Sequence, residues 1–80
     1  MRHNLKIMEC RYRDIIDCLK TFEIRYNDRN YSIGDTLILH PISKDGKYLH
    51  GLGYLPIEVE VVYIDTFQQK ENYLVLGICY

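Results

Sequence analysis

The chain has no surplus of charge of either sign. Ten Lys and Arg meet eleven Asp and Glu, giving a formal net charge of −1 over 80 residues. A general electrostatic grip on nucleic acid is therefore not visible in the composition, and any such role has to rest on a local patch. Cysteine is scarce and odd in number, with Cys10, Cys18 and Cys79. That excludes a secreted disulfide framework and points to a reducing compartment. Cys10 and Cys18 lie ~12 Å apart along a helix, too far to share an ion. His3, His40 and His50 show no ligand spacing, so no metal site is expected. No apolar run approaches the roughly 18 residues of a membrane span, and the N-terminus lacks the profile of a signal peptide. The expectation is a soluble, cytoplasmic protein with no membrane partner. There is no phosphate-binding glycine loop, triad order or metalloprotease motif, and no cofactor is expected. Repeats, low-complexity segments and linkers are also missing, so 1–80 reads as a single domain.

What is present is enough for one small core. A chain this short buries only about 60% of its unfolded surface, so its core has to be unbroken. Residues 3–8 alternate, with Leu5 and Ile7 on one side, and predict a first strand. From Glu9 the period becomes helical: Met8, Tyr12, Ile15, Ile16 and Leu19 share a face, predicting an amphipathic helix over 9–19. Polar residues at 27–30 and the Ser32-Ile33-Gly34-Asp35 turn lead into a strand over 36–40. Residues 41–53 read as one long irregular segment with a hairpin-tip signal at Lys44-Asp45-Gly46-Lys47 and freedom at Gly51 and Gly53 around Leu52. A strand is expected over 55–64, with Leu55, Ile57, Val59, Val61 and Tyr63 facing the core. A last strand is expected over 73–80, with Leu74, Leu76 and Ile78 inward and Gly77 at a bend or bulge. The fold class that follows is α+β, mainly β: an open barrel of about five mixed strands with one early helix packed against it.

The most informative stretch runs from Lys20 to Arg29. Phe22, Ile24 and Tyr26 alternate with Thr21, Glu23, Arg25 and Asn27, and the apolar set is expected in the core. On the other face Glu23 and Arg25 are neighbours, roughly 6–7 Å apart, with Lys20 and Arg29 close by. One reading is a solvated ion-pair network worth about 1 kcal/mol or less per pair. The other is a recognition site, in which Arg25 meets a phosphate or base edge and Lys20 supplies a point charge. Glu23 then orients Arg25 or accepts from an exocyclic amine.

Lys20, Glu23 and Arg25 fall on the charged positions of a Gly-x-Lys-x-x-Glu-x-Arg signature. With Asn27-Asp28-Arg29 and Gly34-Asp35 opening the next strand, the chain resembles the ASCH domains of the PUA-like superfamily. The likeness is to a small bacterial and phage group of unknown function, and it extends from the early strand and helix to the closing 73–77. The family glycine falls on Cys18, at the helix end. Cysteine is costly in a left-handed cap, which predicts a different helix end and a displaced Lys20. The resemblance implies a pseudobarrel with a charged cleft between helix and strands, and RNA or a nucleotide as partner. Some relatives look like amidohydrolases that remove an acyl group from modified cytidine. In those the lysine matching Lys20 is catalytic, beside a threonine whose position here is Glu23, and Glu58 or Glu60 is the candidate second carboxylate.

Tyrosines supply possible stacking platforms, each worth about 1–3 kcal/mol per base. Tyr12 and Tyr63 are expected in the core. Of Tyr26, Tyr31, Tyr48 and Tyr54, which flank turns or the long segment, Tyr48 and Tyr54 are the preferred candidates. The expected function is an RNA- or nucleotide-binding module using Lys20, Glu23, Arg25 and Arg29, with Lys6 a weaker addition. The alternatives are the hydrolase and a protein-interaction adaptor, and the oligomeric state is left open.

Overall fold

Alternation and turn chemistry translate into six elements. In a computed structural model, which describes residues 1–49 and 53–80, the order is β1 (Arg2–Met8), α1 (Glu9–Ile16), β2 (Phe22–Tyr26), β3 (Thr36–Ile42), β4 (Ile57–Asp65) and β5 (Tyr73–Cys79). The expectations at Gly51, Leu52 and His50 lie outside the described residues. The strands form one sheet in the order β1-β3-β4-β5-β2. Only β1 and β3 are parallel, and the other three pairings are antiparallel. The fold is α+β and mainly β: among the described residues, five mixed strands curl into a half-barrel with one helix against it. Among the described residues no helix is long and apolar enough to cross a membrane.

The core follows the alternation of β1, β4 and β5. Leu5 and Ile7, then Ile57, Val59 and Val61, then Leu74, Leu76 and Ile78 all point inward and meet Leu37 and Leu39 of β3. Tyr12 and Ile15 bring the helix onto this cluster. The helix is shorter than its pattern predicts, and Leu19 and Ile16 are exposed rather than packed. Its end explains why. Cys18 takes a left-handed conformation, φ 59°. Its N–H donates to the Ile15 carbonyl (3.1 Å), and the Leu19 N–H donates to the Asp14 carbonyl (2.9 Å). This is a Schellman closure. The helix therefore stops as it would with glycine, and the Lys20 N–H is also tied to the Asp14 carbonyl.

Three further expectations are corrected. β3 continues through Pro41 to Ile42 instead of ending at His40. The Pro41 carbonyl accepts from Leu49 N–H, so its missing N–H faces the side where β4 has stopped pairing at Leu39. The hairpin tip then forms as expected, with Gly46 at φ 83°. In β4, Leu55 precedes the strand and is exposed. A bulge between Val61 and Tyr63 turns Tyr63 outward beside Gly77 and lets Ile64 pack on the core. A Cβ on Gly77 would lie 3.0 Å from that of Tyr63, which is why this position has no side chain.

The largest correction concerns β2. Phe22, Ile24 and Tyr26 are 44%, 52% and 49% exposed, while Glu23 is 4% exposed. The register with β5 dictates this. Glu23 lies opposite Leu76 and Arg25 opposite Leu74, both of them core residues, so the polar set faces inward.

Candidate functional site

Burying Glu23 requires partners for both carboxylate oxygens. Oε1 accepts from Lys20 Nζ. Oε2 accepts from Arg25 Nε, and Arg25 Nη2 is also 3.1 Å from it. The local chain makes this possible: the Schellman closure pins Lys20 to the helix end, and β2 carries Arg25 on the same face as Glu23. Arg25 Nη2 also donates to the Lys6 carbonyl at 2.7 Å. Lys6 is in β1 and Arg25 in β2, the two edge strands of the sheet. One guanidinium thus spans the seam of the curled sheet.

A cleft of about 590 Å³ straddles that seam. β1 contributes Asn4 and Lys6, β2 contributes Arg25 and Tyr26, and the following turn contributes Asp28, Arg29 and Tyr31. His40 of β3 and Tyr48 of the hairpin complete it. The wall is ordered by its own contacts. His40 Nε2 donates to Asn4 Oδ1 at 2.8 Å. The Tyr48 ring lies edge-on to His40, centroids 6.2 Å apart, and the Lys6 ammonium is 5.7 Å from the Tyr48 ring centre. Tyr26 packs edge-on against Tyr73 at 5.4 Å. Tyr31 forms part of the floor, buried against His3, and that burial raises its hydroxyl pKa. Three cations, one carboxylate and aromatic faces therefore share one concavity. Such a surface suits an anionic ligand with a planar group.

The residues singled out from sequence do not all meet there. Arg25, Arg29 and Tyr48 line the cleft, and Glu23 lies behind Arg25. Lys20 lies elsewhere, in a smaller depression of about 210 Å³ with Arg11, Phe22 and Ile24, its ammonium 5.5 Å from the Phe22 ring centre. The main concavity is thus between the two edge strands and not between helix and barrel. Tyr54 is on the helix side: its hydroxyl donates to Glu9 Oε1 (3.0 Å) and accepts from Arg13 (2.9 Å), which holds the start of α1. Glu58 pairs with Arg2, and Glu60 lies beside Thr36 and Cys79 on the outer face. Both point away from Glu23. Asn4 and His40 were missed because only the parallel β1–β3 pairing brings them together.

A second polar cluster was also missed. His3 is buried, and its Nε2 donates to Asp35 Oδ2 at 2.8 Å. The Met1 ammonium donates to Oδ1 and the Ser32 N–H to Oδ2, each at 3.0 Å. Led by the His3 hydrogen bond, these donors lower the Asp35 pKa to about 2. The cluster fastens β1 to the turn before β3, and Asp35 is not among the residues that line the cleft. Among the described residues no group of three or more metal-ligating side chains comes together.

No curated protein matches the chain. A family model described as "Domain of unknown function (DUF3850)" matches residues 2–78. With nearly its whole length covered, the chain belongs to that family of unknown function.

Proposed function

We propose that the seam cleft binds RNA or a nucleotide, as an ASCH-like module of the PUA type in a cytoplasmic setting. The observation that carries this reading is the fixed presentation of Arg25. A buried carboxylate and a backbone carbonyl hold its Nε and Nη2, and Lys6, Arg29 and the Tyr26 and Tyr48 rings surround it. A guanidinium held in this way loses little side-chain freedom when it meets a phosphate or a base edge. The tyrosines offer stacking faces to an unpaired base. Glu23 in this reading orients Arg25, since both of its oxygens are engaged. Exposed free Cys10, Cys18 and Cys79 fit a reducing compartment.

The test is chemical-shift perturbation on isotope-labelled protein, titrated with short single-stranded RNAs, nucleotides and acetylated cytidine at two salt concentrations. Shifts are expected at Lys6, Arg25, Arg29 and Tyr48, with modest affinity. Arg29→Ala and Lys6→Ala should each weaken RNA binding several-fold and reduce the log–log salt slope by about 0.7, the loss of one phosphate contact to a single strand. Loss of the acetyl signal, abolished in Lys20→Ala, would replace the binder with an amidohydrolase. No shift with any of these ligands would overturn the nucleic-acid reading in favour of a protein-interaction role.

A further inference from the structure

The polar groups of the seam cleft differ in what their own bonds leave over. Arg25 commits Nε to Glu23 and Nη2 to Glu23 and the Lys6 carbonyl, and none of these bonds uses Nη1. Asn4 Oδ1 accepts from His40 Nε2, which fixes the amide and leaves the Nδ2 hydrogens as donors. The Lys6 ammonium and the Arg29 guanidinium add donors and no acceptor. Glu23, with both oxygens engaged, adds nothing on the acceptor side. Among the described residues, Asp28 is the one carboxylate that lines the cleft. Its side chain is 59% exposed and lies 3.9 Å from Arg29 Nε, beyond hydrogen-bond reach. The turn that carries it is anchored. Asn27 N–H donates to the Asn72 carbonyl at 2.7 Å, and Asp28 N–H donates to the Tyr26 carbonyl at 2.9 Å. A donor-rich wall, one open carboxylate and the half-exposed Tyr26 ring thus share a cavity of about 590 Å³, the size of a small-ligand site.

A ligand suited to this wall offers many acceptors and one pair of adjacent donors. Phosphate oxygens supply acceptors in every nucleotide, so the base decides. Guanine presents O6 and N7 as acceptors, and its N1–H and N2–H2 groups as neighbouring donors. Adenine and cytosine place their exocyclic amine beside a ring nitrogen that accepts, so a carboxylate there meets a lone pair. Uracil has a single N–H between two carbonyls, and a carboxylate there meets a carbonyl oxygen. Resting on the nucleotide reading of the cleft, we propose that its ligand is a guanine nucleotide and that Asp28 reads the base. The two Asp28 oxygens accept from N1–H and N2–H2 in a pair of charge-assisted bonds. The purine ring lies on Tyr26, which the Asp28 N–H holds beside the carboxylate. O6 and N7 are left to the donor wall, and the phosphate to Lys6 and Arg29. Glu23 takes no part in reading the base, because its oxygens stay with Lys20 and Arg25.

The experiment is calorimetric titration of the full chain with the 5′-monophosphates of guanosine, inosine, xanthosine, adenosine, cytidine and uridine. Guanosine monophosphate is expected to bind about tenfold or more tightly than the adenosine, cytidine and uridine forms. Inosine monophosphate, which lacks the 2-amine, should be several-fold weaker than guanosine monophosphate. Asp28→Asn, a change at an exposed position, should keep the wild-type amide spectrum away from 27–29 and turn the preference to xanthosine monophosphate. Its amide then donates to the xanthine O2 where the carboxylate accepted from N2–H2, and still accepts from N1–H. A second arm compares a short oligouridine with the same strand carrying one central guanosine. Tighter binding of that strand than of guanosine monophosphate assigns the guanine to RNA, and equal binding assigns it to the free nucleotide; both agree with the proposal. Equal affinities for all the nucleotides, or a guanine preference that Asp28→Asn leaves unchanged, overturn the guanine assignment and leave the nucleotide reading standing. Absence of binding by every one of these ligands overturns both.

Discussion

Cys18 shows how one residue carries a small, removable strain. A side chain in the left-handed region costs roughly 1–2 kcal/mol, yet Cys18 sits at φ 59° because the Schellman bonds to Asp14 and Ile15 need that conformation. Glycine would relieve the strain and return part of the gain as extra freedom of the unfolded chain. The net effect of Cys18→Gly is expected to be a stabilisation of about 0.5–1 kcal/mol, or a few degrees in Tm. Thermal unfolding of the two proteins would show it, and an unchanged or lower Tm would mean that the cysteine conformation is not strained. Gly77 is the opposite case. Its φ is ordinary, and what requires glycine there is the Tyr63 side chain across the bulge.

At the scale of the element, β2 reverses the usual assignment of faces. Its alternation correctly groups Phe22 with Ile24 and Tyr26, but a period of two does not say which group points inward. The hydrophobic prior chose the apolar group. The register with Leu74 and Leu76 and two cations able to neutralise Glu23 decide otherwise. Where no such conflict exists, the pattern reads true: β1, β5 and the first half of β4 were legible, and of the expected helix face Tyr12 and Ile15 pack while Met8, Ile16 and Leu19 are exposed. Tyr63 was lost because the bulge is invisible in a run of apolar residues. Tyr54 was misplaced because nearness to a long segment does not tell which side of the barrel it joins. The site was legible in part, since Arg25, Arg29 and Tyr48 come together while Lys20 and Tyr54 go elsewhere. Mutational costs should follow the observed faces. Glu23→Ala strands Lys20 and Arg25 without their carboxylate. It is expected to cost about 2–4 kcal/mol, below the fully buried limit because both cations keep some solvent. Ile24→Ser should stay within about 0.5 kcal/mol, as exposed substitutions do. Urea titrations that ranked the two the other way would contradict the inverted strand.

For the molecule as a whole, acid stability should be set largely at the junction of Met1, His3 and Asp35. The folded Asp35 pKa of about 2 lies below its ordinary 3.8. Between these values the unfolded chain binds more protons than the folded one, so acid favours unfolding. The contribution is fully present above 3.8 and is lost as pH falls toward about 2. Chemical denaturation midpoints measured against pH should fall in that window for the wild type and fall less steeply for Asp35→Asn. Equal slopes would place the acid sensitivity in other carboxylates. The seam between β1 and β2 is organised differently from the rest of the sheet. Four junctions of the sheet are ladders, whereas among the described residues this one is bridged by the Arg25 guanidinium on the Lys6 carbonyl. Opening it means turning Arg25 away from the Glu23 carboxylate that also holds it, which leaves a buried acid short of one partner. The closing of the curled sheet is thus tied to the same carboxylate that Lys20 neutralises at the end of the helix.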